Sequence, residues 1–230
     1  MLMSELYYTD SGETHLEALI MLHGNGENGE IFRNQAEHYS GRYRVILPDT
    51  RGHGRSPEGN GDFSLTLFAK DLYGLMCELG LKSAHILGFS DGANIAMLFA
   101  IEHPEMCRSL ILNSGNLHPF GLRPLTRWSV RIGFALTSLL SPVSERAQKK
   151  AKLLRLMSHE PHIDPQSLSV IKCPVLVIAG KFDVIKSNHT KMIASHIENC
   201  TLVFINGFHN AVYTNPRDFN SEADKFLRGI

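Results

Sequence analysis

A chain of 230 residues is long enough for one large domain with a sizeable core. Its 43% apolar and 20% charged residues suit a globular fold. With 23 Lys and Arg against 23 Asp and Glu, there is no basic surplus for nucleic acid and no acidic, disordered tail.

The first ten residues, MLMSELYYTD, lack a charged segment followed by an apolar core, so no secretory signal is expected. Ala18–Leu22 (ALIML) is the first continuous apolar run and predicts a strand. A helical pattern follows over Gly29–Tyr39, then a strand over Tyr43–Leu47 and a helix over Ser64–Leu79. Strand Ala84–Phe89 runs into helix Asp91–Glu102, and Ser109–Asn113 is the next strand. Val175–Ala179, helix Ser187–Ile197, strand Thr201–Ile205 and helix Pro216–Arg228 complete the order. Continuous rather than alternating hydrophobicity means strands buried on both faces, and strand–helix alternation predicts a doubly wound, mostly parallel α/β sheet. Between Asn113 and Val175 the alternation stops. Leu-rich, Arg-rich pieces stand there instead, and we read residues 116–165 as a helical cap inserted into a single domain, 1–230. Trp128, Phe134, Leu136, Leu139 and Leu140, beside Arg123, Arg127 and Arg131, fit two roles. One is an amphipathic helix packed on the body. The other is an apolar acyl pocket with arginines near an anionic leaving group.

The longest apolar-leaning stretch, Trp128 to Leu140, is interrupted by Arg131 and is too short to span a bilayer. Cys77, Cys107, Cys173 and Cys200 show no CxxC spacing and lie in apolar stretches, which predicts buried free thiols in a reducing compartment. The cytoplasm is the expected location.

Each strand ends in a polar or glycine-rich loop: HGNGENG, PDTRGHGRS, GFSDG, NSGN, GKFD and NGFHN. In open parallel sheets that edge holds the site. Within GFSDG, Ser90 lies between a strand and a helix, with Gly88 and Gly92 clearing space for a sharp turn. Two readings of Ser90 stand here, the N-cap of the following helix and a presented nucleophile. A serine nucleophile needs a base and an orienting acid. His209, past the last strand, and Asp183, past the strand before it, fall at the same edge and complete the chain order Ser, Asp, His. His23–Gly26 (HGNG) follows Ala18–Leu22, where a second oxyanion donor belongs. The expected donors are the backbone N–H groups of Asn25 and Asp91, with His23 as a brace for the loop.

LHGNG, PDTRGHGRS, GFSDG, AGKFD and GFHN, in that order, resemble the α/β-hydrolase superfamily over essentially the whole chain, and small esterases and acyl hydrolases in particular. GFSDG is similar to the GWSDGG elbow of valacyclovir-hydrolase-like enzymes. The resemblance implies a Ser90–His209–Asp183 triad acting on a small acyl ester or thioester, with no metal and no organic cofactor. It also implies that Asp49, Arg51 and His53 shape a structural turn. The family has two strands before the HG strand, whereas only Leu6–Thr9 precedes Ala18 here, so about seven strands are expected. Two alternatives keep the same fold: a binding or receptor scaffold without turnover, and a C–C hydrolase or aminopeptidase using the same triad.

Overall fold

The computed structural model describes residues 6–60 and 63–230; the first five residues of the N-terminal stretch read above lie outside them. Seven strands form one sheet: β1 (Tyr8–Asp10), β2 (Ala18–Leu22), β3 (Arg44–Pro48), β4 (Ala84–Phe89), β5 (Cys107–Asn113), β6 (Val175–Gly180) and β7 (Cys200–Ile205). Their spatial order is β1-β3-β2-β4-β5-β6-β7. Only β1 runs antiparallel, pairing Tyr8 with Pro48 at the edge. The helices are α1 (Arg33–Tyr39), α2 (Leu65–Glu78), α3 (Asp91–Glu102), α4 (Pro124–Leu140), α5 (Glu145–His159), α6 (Ser187–Ser195), α7 (Ala211–Thr214) and α8 (Pro216–Leu227).

The central strands show why continuous apolar runs were the right signal. All five residues of β2 and all six of β4 and of β6 are buried. Successive side chains leave a strand on opposite faces. Thus Ile20 and Leu22 join a core built with α2, α3 and α6. Leu19 and Met21 join a second core with α1, α7 and α8. Helix α3 lies so deep that eight of its twelve residues are buried. Helix α8 buries only one side, with Phe219, Asn220, Ala223, Asp224 and Leu227 at three- and four-residue spacing. Local signals start several helices: the Ser64 hydroxyl accepts from Leu67 N–H at α2, and Ser144 accepts from Ala147 N–H at α5. Strand β2 lies between β3 and β4 although it precedes both, so the chain reverses direction across the sheet there. That switch point opens a crevice at the C-terminal ends of β2 and β4.

Two expectations need correction. The four cysteines are free thiols, but only Cys107 is buried; Cys77, Cys173 and Cys200 are half-exposed because they sit where elements meet the surface. Of the apolar α4 side chains read above as packed on the body or lining a pocket, only Phe134 is half-buried, its ring against His159 of α5. Val130 is the one buried residue of α4, and Trp128, Leu136, Leu139 and Leu140 are exposed. The helix packs on α5 through its other side, where Gly133 sits against Leu154, and this turns the apolar row outward. No helix among the described residues is long and apolar enough to cross a membrane.

Candidate active site

The turn from β4 into α3 places Ser90 at φ 54°, ψ −117°, a region that L-residues rarely occupy. The corner is possible because its neighbours lack side chains. A Cβ on Gly92 would stand 2.0 Å from the Leu22 carbonyl oxygen, and one on Gly88 would stand 2.3 Å from the Gly92 oxygen. The start of α3 is therefore pressed against the end of β2. The Ser90 N–H donates to Asn113 O at 2.8 Å, tying the corner to β5 as well. Ser90 makes no side-chain cap bond to α3. Its hydroxyl faces His209 instead, with Oγ 3.0 Å from Nε2.

His209 lies past β7, before the single turn of α7. Its Nδ1 is 2.7 Å from Asp183 Oδ1. Asp183 is buried, not a solvated turn residue. Burial pushes its carboxyl up, but hydrogen bonds from His209, the Ile185 N–H and the Ser114 hydroxyl outweigh this and hold it below 3.8. An ionised carboxylate only accepts, so Nδ1 carries the proton and the Nε2 lone pair faces the serine hydroxyl. Such an arrangement is able to draw the Ser90 proton onto His209 while Asp183 steadies the imidazolium.

Ser114, in the NSGN loop, was given no role by sequence reasoning. It has φ 58°, and with Ser90 it is one of the two non-glycine residues at positive φ among those described. Its hydroxyl donates to Asp183 Oδ2 at 2.6 Å and accepts from Asn113 Nδ2 at 2.9 Å. Arg123, just before α4, donates from Nε to the Asp183 carbonyl at 2.7 Å. The one signal available beforehand was a polar run at the end of a buried strand, on the same sheet edge as Ser90.

The HGNG loop closes the other side. His23 Nδ1–H donates to Gly24 O at 2.7 Å, and Nε2 accepts from Thr50 N–H at 2.9 Å. Burial drops its pKa to about 4, so the ring is neutral and braces the loop against the end of β3. Glu27 accepts from Gly24 N–H and from the Tyr213 hydroxyl, linking the loop to α7. Asn25 donates from Nδ2 to Leu153 O of α5 at 2.9 Å. Among the described residues, neither the Asn25 N–H nor the Asp91 N–H has a hydrogen-bond acceptor. The two groups lie at the ends of adjacent elements, β2 and the start of α3, where a helix terminus favours negative charge. In the neighbouring PDTRGHGRS loop, Asp49 accepts from Gly29 N–H and Arg55 N–H, and Arg51 pairs with Asp71, so these side chains hold turns together. No cluster of three or more His, Cys, Asp or Glu side chains able to hold a metal occurs among the described residues.

The side chain of Asp91 has a separate consequence. Burial raises its carboxyl to about 6, despite a hydrogen bond from Asn94 and the nearby His209. Asp91 Oδ2 and Asn25 Oδ1 are both buried without a partner among the described residues. A carboxyl whose folded pKa lies above its unfolded 3.8 favours folding when protonated. Stability should therefore fall as pH rises from 4 to 6, leaving a penalty of about 2–3 kcal/mol above that window. Asp91→Asn cannot ionise and offers an N–H₂ toward Asn25. It is expected to be more stable than the parent by up to about 2 kcal/mol at pH 7.5, with the gap closing by pH 4. Urea unfolding at both pH values checks this, and an equal gap at both would contradict it.

Residues 17–131 match the family model described as the alpha/beta hydrolase fold. The chain belongs to that family. Several relatives of this α/β-hydrolase carry the names of hydrolases. It is 27% identical to the serine hydrolase BPHL of Homo sapiens, over 97% of this chain and 83% of that protein. It is 24% identical to 3-oxoadipate enol-lactonase 2 of Acinetobacter baylyi, over 97% of this chain and 93% of that one. Its fold is also that of a thermophilic esterase from Thermogutta terrifontis, with a TM-score of 0.78 and 23% identity over 97% of this chain and 93% of that one.

Proposed function

We propose that this α/β-hydrolase cleaves carboxylic esters or thioesters through an acyl-enzyme on Ser90. The observation that carries the reading is the hydrogen-bonded line from Ser90 Oγ to His209 Nε2 at 3.0 Å and from His209 Nδ1 to Asp183 at 2.7 Å, with the serine held at a strained turn. His209 takes the Ser90 proton as Oγ adds to the substrate carbonyl. The N–H groups of Asn25 and Asp91 receive the oxyanion, each contributing about 3 kcal/mol in comparable sites. The tetrahedral adduct collapses, His209 gives its proton to the leaving alkoxide or thiolate, and the acyl group stays on Oγ. Water, deprotonated by His209, then adds to the acyl carbonyl; the acid leaves and Ser90 regains its proton. Asp183 keeps the His209 tautomer and stabilises the imidazolium. Relatives named as an enol-lactonase and an esterase support an ester substrate, a lactone being an internal ester.

We read residues 116–165 as the cap of this site. The bond from Asn25 to Leu153 O is the contact through which it meets the oxyanion loop. Steady-state hydrolysis of esters graded in chain length, beside matched thioesters, lactones, amides and a C–C substrate, tests the reading. Turnover of esters or thioesters is the expected result; exclusive turnover of an amide or a C–C bond would overturn it.

Ser114 is a positioning residue in this scheme. Ser114→Gly suits φ 58° and removes the hydroxymethyl group whose oxygen donates to Asp183. A lost hydrogen bond to a charged group costs about 1.5 kcal/mol, so kcat is expected to fall roughly ten-fold with KM little changed. Unchanged kcat would remove Ser114 from the account.

A further inference from the structure

Leu125, Trp128, Ile132, Leu136, Leu139 and Val143 recur every three or four residues from the start of α4 to the turn that follows it. They form one side of that segment, and their exposure runs from 55% to 84%. A folded chain rarely leaves so long an apolar stripe in water without a use for it. At the start of α4 the apolar surface continues into the exposed ring of Phe120, over which the Arg127 guanidinium lies 4.6 Å from the centroid. The exposed rings of Phe182 and Phe208, next in sequence to Asp183 and His209, lie 5.8 Å apart. Arg123, just before α4, donates to the Asp183 carbonyl, so the near end of the helix stands at the edge that carries Ser90.

Charge selects the occupant. The whole chain is neutral, yet residues 116–165 hold eight Lys and Arg against three Asp and Glu, leaving 15 against 20 elsewhere. Helix α4 contains no acidic residue. Arg131 of α4 and Arg146, Lys149 and Lys150 of α5 are exposed, with Glu145 the one exposed acid on these two helices. A second copy would bring this cationic surplus against itself. An anionic surface would neutralise it while burying the stripe. An apolar row with an aromatic ring, on a helix that carries basic and no acidic residues, is the pattern of a helix lying in a lipid interface.

We propose that α4 docks the protein on an anionic bilayer, with the helix in the headgroup plane and its apolar row inserted. The proposal does not depend on which bond the site cleaves. Trp128 is the only tryptophan in the chain and lies in the stripe, so its emission reports docking directly. Vesicles of phosphatidylcholine with one-quarter phosphatidylglycerol should shift Trp128 emission to the blue and co-sediment the protein. Binding should be roughly ten-fold tighter than to pure phosphatidylcholine, and the difference should shrink in high salt. The doubly substituted L136S/L139S, altered only at exposed positions, should bind the anionic vesicles at least about ten-fold more weakly. Neutralising the exposed Arg131 of α4 as Arg131→Gln should cut only the preference for anionic lipid. The proposal is overturned by no blue shift with either vesicle, by equal binding to both, or by a shift that follows protein concentration without lipid. The last outcome, with a dimer mass in light scattering, would assign the stripe to a second copy.

Discussion

Ser90→Ala is expected to lower hydrolysis of short p-nitrophenyl esters by about 10⁵-fold, to the background rate, with substrate binding largely kept. The reason is geometric. Ser90 Oγ is the one atom that the β4–α3 corner aims at His209 Nε2, and a base 3.0 Å away is useless without the hydroxyl it serves. The substitution removes one hydrogen bond and leaves the backbone of the corner alone. Stability should change by about 1 kcal/mol or less. Loss of rate with an intact unfolding transition therefore separates chemistry from folding. Full activity in the variant would end the assignment.

Gly92→Ala should have the largest effect on folding. The added methyl group would lie 2.0 Å from Leu22 O, 2.5 Å from Leu22 C and 2.8 Å from His23 O. All three are backbone atoms, in a buried strand and in the loop that presents Asn25, so none can swing aside as a side-chain tip can. Either α3 retreats from β2 or the corner opens. Both break close packing in the centre of the molecule, and a loss of about 4 kcal/mol or more is expected. Gly133→Ala in α4 is the matched contrast. Its Cβ meets only the Leu154 Cδ1 atom, at 3.2 Å, and replacing a helical glycine should leave stability unchanged or raise it by up to about 1 kcal/mol. Denaturant midpoints for the pair test the difference. A Gly92→Ala protein as stable as the parent would show that the corner is looser than its geometry implies.

These two variants also show how much was legible in the order of residues. Strands such as β4 and β6 announce themselves because burial on both faces demands an unbroken apolar run, and their polar ends mark one edge of the sheet. Ser90, Asp183 and His209 follow from that edge. Their approach within hydrogen-bonding distance is a property of the folded sheet, in which β4 and β7 are separated by two strands. Strand β5 begins two residues earlier than Ser109, because the exposed Arg108 interrupts its apolar pattern without interrupting its ladder. Ser114 was invisible, since a short polar side chain in a loop carries no periodicity and its value lies in the Asp183 oxygen above it. The same holds for Leu153, whose carbonyl meets Asn25 from 128 residues away. The spacing of α4 did reveal an apolar side. Which way that side faces depends on how α5 and the body occupy the other flank, and this is a matter of packing rather than of pattern.

The most direct test of the central claim is covalent. After incubation with a fluorophosphonate, proteolysis and mass spectrometry of the peptides should place a single phosphonyl group on Ser90, at a rate that falls when His209 is replaced by Gln. Labelling on another residue, or no labelling of a protein that still turns over esters, would contradict an acyl-enzyme on Ser90.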